Sequence, residues 1–164
     1  MSTQSTSELV FKPSTNPKAA TMNVDNPTTK FTRVLKSIGS VLLGLIVVVV
    51  LSIATDVLMH ATGIYPPWGQ PMNDSQFAVA TVYRSIYAVI GSYISAQVAP
   101  IHPMQHAFAL GIVGFVIALA GLIATWDGGP EFARKWYPIA LVLISIPCGW
   151  LGGKFQERKS SRTI

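Results

Sequence analysis

A single cysteine, Cys148, stands in the 164 residues, so no disulfide can close within the chain. It lies inside an apolar run, where a free thiol acts as a small hydrophobe. Charge is scarce as well. Only 12% of the residues are Asp, Glu, Lys or Arg, while half are hydrophobic. A soluble domain needs more charge to cover its surface. Also missing are the patterns of phosphate-binding loops, dinucleotide-binding turns, nucleophile elbows and His-Glu-x-x-His metalloproteases. The glycine pairs at 128–129 and 152–153 punctuate helix ends. No internal repeat is present. These absences leave no catalytic residue to assign, no cofactor and no metal.

The apolar residues come in long blocks, the pattern of membrane spans. From Ser37 to Thr55 there is no charge over 19 residues, close to the ~20 that cross a ~30 Å hydrocarbon core. From Ser85 to Trp126 the chain is uncharged for 42 residues, enough for two spans, and Pro100 and Pro103 divide it. Four spans follow, at about 34–59, 77–99, 104–126 and 136–153. The predicted fold class is all-α, an integral membrane protein with an up-down antiparallel bundle of four transmembrane helices. The segment 33–154 forms the transmembrane domain. Pro103 suits the first turn of its helix, where a missing N–H costs nothing, and Asp74 or Ser75 suits the cap of the second. Pro147 removes one backbone hydrogen bond from the fourth span.

Outside the spans, residues 1–32 are rich in Ser, Thr, Asn and Pro and predict a disordered tail. Residues 155–164 form a short basic tail. The net charge is +5, and nine of the twelve basic residues cluster at the two ends: Lys12, Lys18, Lys30, Arg33, Lys36, Lys154, Arg158, Lys159 and Arg162. Such clusters place both ends in the cytoplasm and draw them to anionic lipid headgroups. The expected location is the cytoplasmic (plasma) membrane, with the lipid bilayer as first partner. Nucleic acid is excluded, because no soluble domain exists to present a basic face.

Helix packing in lipid relies on close backbone approach. Ala107, Gly111, Gly114, Ala118, Gly121 and Thr125 repeat at spacings of four and three, which places them in a stripe about 80° wide on the third helix. This is the expected packing seam. Shorter stripes run through Arg84, Ala88, Gly91 and Ser95, and through Ser145, Gly149 and Gly152. They fit a compact bundle, self-association or a larger complex.

Arg84 is the one basic residue deep in a span. A cation there costs roughly 2.5–3.5 kcal/mol and calls for a partner. Asp56 is the expected one. Ser52, Asp56 and His60 share a helix face, so the Asp56 carboxylate is placed to orient the imidazole. With Tyr83 and Asp127 these residues compose a polar intramembrane cluster: Asp56, His60, Tyr83, Arg84 and Asp127. His102 and His106 also stand four apart, but Pro103 intervenes and no third ligand is near.

Three functions compete on this reading. The first is a non-enzymatic accessory or scaffold subunit of a membrane assembly. The second is a small oligomeric transporter or channel with its polar site at Asp56 and Arg84. The third is a membrane-embedded enzyme with a His/Asp site in the outer leaflet.

Overall fold

The computed structural model describes residues 27–128 and 134–161, with side chains from Lys30 onward. Four helices make up the described chain: α1 (Pro27–Ala61), α2 (Asp74–Val98), α3 (Pro103–Thr125) and α4 (Trp136–Ser160). All four are long and apolar enough to cross a membrane. Among the described residues there is no strand.

The helices overrun the expected spans at the two chain ends. α1 begins at Pro27, where proline suits an N-terminal position, so residues 27–32 are helical and do not join the tail. Residues 1–26, which carry the rest of the expected disordered tail, lie outside the described residues. α4 runs on through Lys154 to Ser160, with Arg158 and Lys159 in its last turn, where cations complement the helix dipole. The expected C-terminal tail is therefore helical over most of its length. Residues 162–164 lie outside the description. Pro147 sits inside α4, and the helix continues through it.

The cap of α2 is Asn73, one residue before the expected Asp74. The Asn73 side chain accepts from the Gln76 backbone N–H at 2.9 Å, and the Gln76 side chain accepts from the Asn73 N–H at 3.0 Å. This reciprocal box satisfies two otherwise unpaired donors. Gln76 also donates to the Ile64 carbonyl at 2.6 Å, so the cap ties the 62–73 loop down. The turn between α2 and α3 ends at His102, which adopts a left-handed backbone (φ 49°) just before Pro103.

Large side chains point outward and small ones inward. Leu35, Ile46, Val50, Val82, Ile123 and Leu143 are all exposed, while Ser40, Ser92, Ser95, Ala96 and Ala107 are almost fully buried. That is the reverse of a soluble core. The small residues let backbones meet. A Cβ placed on Gly91 would stand 2.7 Å from the Gly44 carbonyl oxygen, and one on Gly149 would stand 2.8 Å from the Gly111 Cα. α4 thus packs on α3 and α2, and α1 packs on α2 with a lesser contact to α3. Among the described residues no Cα of α1 comes within 8 Å of one of α4.

The α3 stripe is used over only part of its length. Ala107 and Gly111 are buried against α4. Gly114 and Ala118 are half-buried, and Gly121 is exposed with open space beside it. The same break runs through the neighbours: Gly91 and Ser95 are buried while Arg84 and Ala88 line a cavity, and Gly149 is buried while Ser145 lines it. The bundle is closed around Gly44, Gly91, Gly111 and Gly149, where backbones meet, and it opens into a cavity on the side of the 62–73 loop.

A pair of alanine substitutions separates the two halves. Gly149→Ala forces backbone apart at the closed end, and overpacking of this kind costs about 1–3 kcal/mol. Gly121→Ala meets nothing within 4 Å and stays within about 0.5 kcal/mol of the parent. Apparent melting temperatures of the two variants in the same detergent check this. Equal losses would mean that the stripe is packed along its whole length.

Candidate functional site

The open half of the bundle holds a cavity of about 500 Å³ lined by all four helices. Its walls are mostly aliphatic: Leu45, Val49 and Ile53 from α1, Ile117 from α3, Leu141 and Ile144 from α4. Gly114, Ala118 and Gly121 contribute the uncovered part of the α3 stripe. Asp56 and Arg84 stand at its loop end, with Tyr137 beside them. An apolar pocket with a few converging polar groups is the usual form of a small-molecule site.

Asp56 and Arg84 form an ion pair, with Nη2 of Arg84 at 2.6 Å from Oδ2 of Asp56. Tyr83 donates its hydroxyl to the other carboxylate oxygen, Oδ1. Both oxygens of Asp56 are therefore engaged. The guanidinium has five donors, and its Nε is buried with no partner. The Arg84 guanidinium also lies over the Tyr137 ring at 6.0 Å from the centroid. Each Asp56 oxygen accepts one hydrogen bond and keeps a further lone pair. One turn away, Thr55 and Tyr87 share a hydrogen bond of 2.8 Å that links α1 to α2.

Two members of the expected cluster stand apart from this pair. His60 hydrogen-bonds the Asp56 backbone carbonyl at 2.8 Å, so the carboxylate does not orient it. Its ring stacks on Trp68 at 3.7 Å and meets Tyr65 edge-on. The reason is local: the i+4 position places the ring against the helix carbonyl, and Arg84 and Tyr83 already fill the carboxylate. Asp127 is exposed past the end of α3 and forms no part of the ion-pair network. His106 bonds the His102 carbonyl at 3.2 Å within the α2–α3 turn and first helical turn. Among the described residues no three His, Cys, Asp or Glu side chains converge as metal ligands would.

Four participants escape a reading of the sequence. Tyr65 comes from the 62–73 loop, yet it is buried against Ala80 and Tyr83, with its hydroxyl donated to the Gln76 carbonyl at 3.3 Å. Tyr137 reaches Arg84 from the start of α4. Trp136 donates to Asp74 at 2.9 Å, and Arg134 pairs with the same carboxylate at 3.4 Å, which fastens the entry to α4 onto the start of α2. Each is an interfacial-type aromatic or charge in the sequence, and spacing alone carries no sign of its partner.

Burial pushes the Tyr65 phenol above the ordinary tyrosine value of 10.0. A raised value in the fold favours the neutral form, so its contribution to stability is present below pH 10 and is lost as pH rises through the raised value. Tyr65→Phe therefore flattens the alkaline fall in stability, read as melting temperature against pH above 9. Removal of one partner of the Asp56–Arg84 pair leaves the other partly buried and unpaired. Arg84→Ala and Asp56→Ala each lower stability by about 1–3 kcal/mol, and the double variant loses less than their sum. A coupling energy below about 0.5 kcal/mol in that cycle would show that the pair contributes nothing beyond a surface bridge.

Comparison with protein-family models, curated proteins and solved structures returns no match to this chain, so a functional reading rests on this geometry.

Proposed function

We propose that the chain is an integral protein of the cytoplasmic membrane that acts as a non-enzymatic accessory or scaffold subunit of a larger membrane assembly. The observation that carries this reading is the unclosed bundle. Among the described residues the α1 and α4 backbones stay more than 8 Å apart, and the α3 small-residue stripe runs on from its packed part into the cavity, with open space beside Gly121. Small-residue faces are what transmembrane helices use to associate. An incomplete bundle suits a chain that is finished by its surroundings.

Three features support the membrane placement. The outward face is aliphatic along every helix. The contacts pair Asp56 with Arg84 and Gly44 with Gly91, and Gly111 with Gly149, so α1 opposes α2 and α3 opposes α4. Asp74 with Trp136 and Tyr93 with Lys159 align α2 and α4 the same way. An up-down path follows, with both chain ends on one side. The basic residues at those ends favour the cytoplasmic side, where they meet anionic lipid.

A second reading, a small transporter, is favoured by one observation: a charged pair borders a cavity lined by all four helices. Solute sites in transporters are built from such polar groups between helices.

Two measurements test the proposal. With Cys148→Ser as background, Gln70→Cys reacts with an impermeant maleimide on intact cells, and Ser161→Cys reacts only after permeabilisation. Reversed labelling would overturn the orientation. Mild extraction of the tagged chain, followed by quantitative mass spectrometry, recovers at least one other membrane protein at a fixed ratio. Recovery of this chain alone, as a self-assembled particle with solute flux lost in Arg84→Ala, would replace the accessory reading with the transporter.

A further inference from the structure

We propose that the rim of the bundle beside the 62–73 loop is a lipid-contact surface, with Trp68, Trp126 and Trp136 seated at the headgroup level of a phospholipid leaflet. The inference rests on the membrane placement above and adds where the leaflet meets the chain.

The up-down path brings the end of α1, the end of α3 and the start of α4 to one rim. Trp68 lies against the end of α1, Trp126 caps α3, and Trp136 opens α4. Each ring is fixed from the protein side by a polar partner. Trp68 stacks on the His60 ring, with centroids 3.7 Å apart and planes within 2°. The Lys135 Nζ lies over the Trp126 ring at 4.8 Å from its centroid. Trp136 donates to the Asp74 carboxylate at 2.9 Å. The rest of each ring faces outward, with exposures of 71%, 46% and 39% in that order. Such amphipathic rings concentrate at membrane interfaces. Asp127, Arg134 and Lys135 stand exposed beside Trp126 and Trp136, as the watery side of an interface requires.

The stack sets the depth of Trp68. Leu58 is the last large exposed hydrophobe of α1, and His60 follows it by two residues, a rise of ~3 Å. A ring pinned to His60 therefore lies where the aliphatic surface of α1 ends. The loop itself can rest on lipid. From Ala61 to Asn73 it holds no charged residue, so contact desolvates no charge. The Thr62, Gly63, Tyr65 and Gln70 N–H groups are paired within the chain, and Pro66, Pro67 and Pro71 have none. Tyr65, the other aromatic of the loop, is turned inward and buried, which leaves Trp68 as the contact. Asp56 precedes His60 by four residues, or ~6 Å, so this belt puts the ion pair about one turn beneath the headgroups.

The test uses the purified full chain, free of other proteins, in phosphatidylcholine vesicles. Single-tryptophan variants carry Phe at the other three positions. Fluorescence is quenched by lipids brominated near the head end or near the tail end of the acyl chains, and by aqueous iodide. Trp68, Trp126 and Trp136 each lose about twofold more emission to head-end than to tail-end bromines, since ~15 Å of hydrocarbon separates an interface from the bilayer centre. Trp150, 14 residues beyond Trp136 and so ~21 Å along the helix, shows the reverse order. His60→Ala in the Trp68-only chain lowers the docked fraction of that ring about two- to tenfold, the range of one aromatic pair, and iodide quenching rises. Where a triple Phe variant does not assemble, subtraction of the Trp68→Phe signal from that of the parent isolates Trp68.

Iodide quenching of the rim tryptophans without bromine quenching overturns the proposal and leaves that rim to water or to a partner protein. Stronger quenching of the rim by tail-end bromines overturns it as well, because the rim would then lie in hydrocarbon. Unchanged iodide quenching of Trp68 after His60→Ala overturns the holding role of His60. Bromine quenching kept at Trp150 confines any such failure to the rim. Its loss at Trp150 too would sink the membrane reading itself.

Discussion

Backbone-to-backbone contact through small residues is the constraint on which the rest of this structure depends. Gly44 meets Gly91, and Gly111 meets Gly149, at distances that exclude a β-carbon. These contacts hold α1 to α2 and α3 to α4 beside the cavity. Toward the other end the facing positions become Val48, Val49 and Ile53 on α1 and Leu141 and Ile144 on α4. Branched side chains fill the space there, and among the described residues the α1 and α4 backbones stay more than 8 Å apart.

The ion pair sits where that opening begins. An arginine in an apolar helix needs compensation, and Asp56 supplies it from the neighbouring helix at 2.6 Å. Tyr83 completes the carboxylate. The pair fixes α1 to α2, and the Arg84 guanidinium also lies over the Tyr137 ring of α4.

The open end is stiffened from outside. The Asn73–Gln76 cap box holds the 62–73 loop through the Ile64 carbonyl, and Tyr65 is buried beneath that loop against Tyr83. The link into α4 is fastened to Asp74 by Trp136 and Arg134. These bonds are exposed and individually weak, yet together they anchor both connections at the mouth of the cavity. Tyr65 from the 62–73 loop packs on Tyr83, and Tyr137 from the first turn of α4 lies against Arg84.

The sequence by itself determined the four helices, because uncharged runs of span length and the prolines between them are local properties. It also marked the small-residue faces and singled out Asp56, Tyr83 and Arg84, since one cation in a long apolar segment demands an acid at reachable depth. Helix ends were legible less well: Pro27 and Lys154–Ser160 extend the helices with polar turns that hydropathy cannot distinguish from tail. Only the tertiary structure decided that half of the α3 stripe is packed and half is open, since a stripe records which face is small and not what stands opposite. It likewise decided that His60 turns to Trp68 and a backbone carbonyl instead of the carboxylate, and that Asp127 stays outside. Those outcomes depend on which side chain reaches a shared partner first, and that competition exists only once the helices are side by side.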